Sequence, residues 1–169
     1  LYNRRELKDV SKMTDKDYTP GGMTALLDAV GRTIHKMDMV AGIHRKDKGN
    51  KVLFVIITDG EENDSKEYTY ADVKKLIKDR QENAGWEFIF LGANIDAAAA
   101  AENLGIDRDR AVKYKNTGSG VRANFKAVAE LSDSLAKSGR VSDRWKETVE
   151  KDEDDAADKQ SAAVTSHRR

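Results

Sequence analysis

The chain has 169 residues, 38% hydrophobic and 36% charged, enough for one domain with a real core. Lys plus Arg (30) balance Asp plus Glu (30), and a neutral chain argues against nucleic-acid or anionic-membrane partners, which favour a basic surplus. The absence of cysteine excludes disulfides and thiolate metal sites. No signal peptide or spanning helix is visible in the sequence, so the expected location is cytoplasmic, with no membrane partner. The chain opens at Leu1 and not at a methionine, which is read as a fragment or a processed product.

Leu1 to Asp17 is polar and shows no clear period; Leu1-Tyr2 is compatible with the frayed end of a strand. Pro20-Gly21-Gly22-Met23-Thr24 is a turn-rich approach to a helix. Leu26, Leu27, Val30, Ile34, Met37 and Ala41 then recur at helical spacing to about Ile43. His44 to Asn50 is a charged loop. Val52 to Ile57 is an unbroken apolar run, mostly β-branched and aromatic, which predicts a strand covered on both faces. It ends at Thr58-Asp59-Gly60 and turns acidic through Glu61, Glu62 and Asp64, a set read first as a solvated rim.

Thr69 and Asp72 form a capping-box variant for a helix that Gly85 stops. Trp86 to Leu91 is a second strand, its aromatics read as core. An alanine-rich helix over Ile95 to Leu104 follows, closed by Gly105. Ala111 to Tyr114 is a short third strand near an edge. The last helix runs from Val121 to about Lys137, its buried face expected to be Val121, Phe125, Val128, Leu131 and Leu135. Residues 1–139 are therefore the domain. Residues 140–169 read as a charged, disordered tail in which only Trp145 has the means to anchor. His35, His44 and His167 lack ligand companions and are expected at the surface.

Helices alternating with strands call for an α/β fold with a mainly parallel sheet and right-handed crossovers. Ligands of such sheets bind at the carboxyl ends of the strands, where Asp59 falls. Thr24 offers a neutral oxygen and Asp59 an anionic one, a pair suited to a hard cation such as Mg²⁺. Each alone is ambiguous: a threonine opening a helix is usually a cap, and an aspartate after a strand is often a turn former.

In context, PGGMTALLDAVGRTI and VLFVIITDGEEND resemble the von Willebrand factor type A (VWA) domain, in its small bacterial and phage form, and GWEFIFLGANIDA resembles the strand and loop that follow. The resemblance covers about Leu1 to Lys137. It implies a Rossmann-like three-layer domain bearing a metal-ion-dependent adhesion site. There Mg²⁺ or Mn²⁺ is held by three loops and completed by an acidic residue from a protein partner, without catalysis. Only the Thr24 and Asp59 motifs are present; the Asp-x-Ser-x-Ser motif is absent, so the domain reads as N-terminally incomplete. The expectation is weak or absent metal binding by this chain alone. The Val52–Ile57 strand is expected at an uncovered edge, prone to self-association or to completion by another chain. Two alternatives stand beside this: a nucleotide-binding α/β enzyme, though no G-x-x-x-x-G-K-[ST] is found, and a VWA remnant with a dead metal site.

Overall fold

A computed structural model describes residues 6–12, 14, 16–17, 22–43, 51–142 and 144–152. The readings for Leu1-Tyr2, Pro20-Gly21, the loop 44–50, His44, His167 and residues 153–169 lie outside the described residues. Helix α1 (Leu26–Ile43) leads to strand β1 (Leu53–Thr58), helix α2 (Tyr70–Ala84) and strand β2 (Glu87–Gly92). Helix α3 (Ala97–Asn103), strand β3 (Ala111–Lys113) and helix α4 (Gly118–Ser138) complete the order.

The three strands form one parallel sheet in the order β1-β2-β3, so the chain is α/β, with a layout compatible with a Rossmann-like fold. The period of two in β1 and β2 divides the core cleanly. Phe54, Ile56, Phe88 and Phe90 face α1, α2 and α3, whose Leu27, Val30, Ile34, Val73, Ile77 and Ala101 close over them. Leu53, Val55, Ile89 and Leu91 face the opposite layer, built by α4. Helices cover both faces, which is why these strands do not alternate in polarity. Phe54 and Phe88, direct register partners, stack with ring centroids 5.2 Å apart.

Local rules set the helix ends. The Thr69 hydroxyl accepts from the Asp72 N–H at 3.3 Å, and the Asp72 carboxylate accepts from the Thr69 N–H at 2.9 Å. Gly85 closes α2 in the left-handed region with φ 64°. Arg80 of α2 then reaches Asp38 of α1 at 2.7 Å, tying the two helices on one face of the sheet.

Two expectations are corrected in the second layer. The buried stripe of α4 is Gly120, Ala123, Asn124, Ala127, Leu131 and Leu135, while Val121 and Phe125 are exposed, Phe125 at 64%. The small Ala123 and Ala127 pack against the sheet, and at the helix start a Cβ on Gly120 would stand 2.1 Å from the Lys115 carbonyl oxygen of the preceding loop. The disordered tail expected from Arg140 does not describe residues 141–142 and 144–152. Val141, Trp145 and Val149 are buried in the same cluster as Ala127 and Leu131, and residues 147–152 are helical. The Trp145 Nε1–H donates to the Asp109 carbonyl at 3.1 Å. These residues recur every fourth position, the helical signal that the surrounding charges conceal.

Among the described residues β1 is an outer strand, as expected. Its faces are less bare than expected. Residues of α1 pack on one side and of α4 on the other; Leu53, Phe54 and Val55 are half-buried, and Ile57 is 46% exposed.

Candidate functional site

The carboxyl end of β1 is shaped by its last residue. Thr58 is buried, and its hydroxyl donates to the Gly60 carbonyl at 2.9 Å, folding Asp59 and Gly60 into a tight bend. Asp59 is thereby held above the sheet. Parallel strands end on the same side, so the loops after β1 and β3 meet there. The Asn116 amide lies 3.5 Å from the Asp59 carboxylate, a long contact. The Tyr114 hydroxyl is pushed above its usual titration range by burial first and by the negative charge of Asp59 second.

The segment before α1 joins the same place. The Thr24 carbonyl accepts from the N–H groups of Asn63 at 3.0 Å and Asp64 at 3.3 Å, and the Thr24 N–H donates to Asn63 Oδ1 at 2.7 Å. Thr24 Oγ1 lies 3.5 Å from the point a Cβ on Gly60 would occupy. The two predicted site residues, Thr24 and Asp59, are therefore on neighbouring turns at one end of the sheet. Between residues so far apart in sequence, this is a tertiary result.

The acidic turn does more than form a rim. Glu62 accepts from the Leu27 N–H at 2.9 Å, which satisfies an orphan donor at the start of α1, and from the Ser65 N–H and hydroxyl, both at 2.7 Å. Asp28, buried on α1, returns the grip: its carboxylate accepts from the N–H groups of Lys66, Glu67 and Tyr68 at 3.0, 2.9 and 3.0 Å. Two carboxylates thus lace the loop after β1 onto the first turns of α1. Both titrate below their ordinary range. For Asp28 the Lys66 N–H is the main cause; for Glu62 partial burial pulls upward, and the Leu27 and Ser65 donors outweigh it.

Sequence reasoning did not single out Asp28, Asn116 or Asn63. Asn116 carried a usable signal, since it follows the third parallel strand and so belongs at the same end. Asp28 carried none, because its partners lie 38 to 40 residues away.

The donor set at the bend is one carboxylate, one threonine hydroxyl and one asparagine amide. Among the described residues no group of three or more His, Cys, Asp or Glu gathers where it could hold a metal ion. The oxygens suit a hard cation in kind, and Mg²⁺ accepts sites with few protein carboxylates by keeping its waters. They are few in number, so any such ion would be held loosely. None of the described helices is long and apolar enough to cross a membrane. No family model matches the chain, and neither does any curated protein or solved structure.

Proposed function

We propose that this chain is a VWA-like binding module, non-catalytic, that engages a protein partner through a divalent cation at the carboxyl end of β1. The Thr24 hydroxyl and the Asp59 carboxylate would hold Mg²⁺ or Mn²⁺ together with water, and an acidic side chain of the partner would complete the set. When bound, the cation supplies a charge bridge between two carboxylates that otherwise repel. The chain's own part is positional. The Thr58 hydroxyl fixes the bend that carries Asp59, and the clasp of Glu62 and Asp28 pins the same loop beside Thr24. The observation that carries the reading is the meeting of the two turns, with Thr24 Oγ1 3.5 Å from a Cβ position on Gly60.

Titration of Mn²⁺ into the full chain, followed by the paramagnetic signal of the free ion, tests this. Weak saturable binding, lost in Asp59→Ala and reduced in Thr24→Val, is expected. Binding that is the same in Asp59→Ala as in the parent chain would refute the site. Nucleotide hydrolysis abolished by Asp59→Ala would replace it with an enzyme.

A further inference from the structure

A cavity of about 280 Å³ opens between the acidic turn and α3, on the far side of Gly60 from Thr58 in the chain. Half-buried Leu26 and Ile95 give it an apolar floor above the fully buried Phe90 and Leu104, and the exposed Glu61 and Tyr70 form its wall. At about 30 Å³ per water it has room for about nine waters. That is just below the lower bound of about 300 Å³ typical of sites for drug-sized molecules, so a single side chain matches it better than a nucleotide.

The acids around it are not equivalent. Glu62 is engaged at the start of α1, and Asp96 caps α3 by accepting from the Ala99 N–H at 3.0 Å. Glu61 has no hydrogen bond or ion pair among the described residues. Tyr70 is raised above its usual range by burial first, then by the charges of Glu62 and Glu61, which sets its hydroxyl in their field. No lysine or arginine lines this cavity; Lys113 lines the adjoining one, which Glu61 also borders. An apolar floor, a negative wall and no cation of its own define the chemistry of what it takes.

We infer that this cavity receives a lysine side chain of a partner protein. The four-carbon stem lies along the half-buried Leu26 and Ile95, as lysine stems do on apolar surface. The ammonium donates to the Glu61 carboxylate and to the Tyr70 hydroxyl, which accepts. The inference rests on the cavity and not on the cation, although Gly60 borders both, so one partner segment can reach the two.

The test is an amide chemical-shift titration of the full chain in the presence of a chelator, so that its failure is separate from failure of the metal site. N-acetyl-lysine methylamide is the probe, with the norleucine analogue as the same stem without charge and cadaverine as a free diamine. Saturable shifts at Gly60, Ile95, Ala100 and Asn103 are expected for the lysine probe. Glu61→Gln should weaken it about threefold, the scale of a solvated ion pair. Ala100→Leu, which fills the cavity, should abolish it while leaving the far-ultraviolet spectrum of the fold intact. Equal binding of the norleucine probe, an undiminished response in both variants, or tighter binding of cadaverine than of the lysine amide would overturn the assignment.

Discussion

Replacing Trp145 by alanine separates a packed segment from a solvated tail. Trp145 is 2% exposed, lies among Val141, Val149 and the sheet residues Ile89 and Leu91, and donates its indole N–H to the Asp109 carbonyl at 3.1 Å. Truncating a buried tryptophan to alanine costs about 3–5 kcal/mol, from lost transfer energy and the void left behind. For a domain of this size each kcal/mol moves Tm by about 2–4 °C, so the expected fall is about 6–20 °C. Trp145→Phe keeps most of the packing and loses the hydrogen bond, worth about 1 kcal/mol on its own. Calorimetry of the three proteins at pH 7, with tryptophan emission as a second probe, reads this directly. A tail that merely lies in solvent would give Trp145→Ala a Tm within about 1 °C of the parent, since surface changes stay within about 0.5 kcal/mol. That result would refute the packing of residues 141–152 against the sheet.

Other outcomes follow from the same geometry. Asp28, Glu62 and Asp72 are all held below the ordinary carboxylate range, Asp72 chiefly by the Thr69 hydroxyl. Their contribution is complete above the unfolded value of about 4 and is lost as pH falls through the lower folded values, so Tm should be level from neutrality down to about pH 5 and drop below about pH 4. Asp28→Asn should lower Tm at pH 7 and converge with the parent in acid; an equal gap at both pH values would show that the charge of the carboxylate is not what matters. Gly120→Ala places a Cβ 2.1 Å from the Lys115 carbonyl oxygen, a backbone atom, and overpacking of this kind should cost about 1–3 kcal/mol or more in a urea melt. An unchanged midpoint would mean the start of α4 is looser than described. Ile57→Lys, at an exposed position of β1, should leave stability within about 0.5 kcal/mol while reducing self-association in light scattering. Association unaffected by the charge would place any sticky surface elsewhere.

Much of the fold was legible because its signals are local. The apolar runs ending at Thr58 and Gly92, the Thr69–Asp72 cap and Gly85 each act within a few residues, and each element appears within a few residues of its predicted place. The face of α4 was not legible: Phe125 and Ala123 fit the helical period equally well, and packing against Ile89, Leu91 and Val112 of the sheet decides between them. Trp145 is the one residue of its stretch with the means to anchor, yet its Asp109 partner lies 36 residues away.

The sequence by itself determined two oxygen-bearing turns in an α/β chain, one opening a helix at Thr24 and one ending an apolar strand at Asp59, because periodicity and turn chemistry are written in neighbouring residues. Only the tertiary structure decided that these turns meet, that Glu62 and Asp28 lace them together, and that Glu61 is left facing a cavity. Those relations join atoms 35 to 40 residues apart. Which donor finds which acceptor at that range is set by how the helices pack on the sheet, a choice that no local pattern encodes.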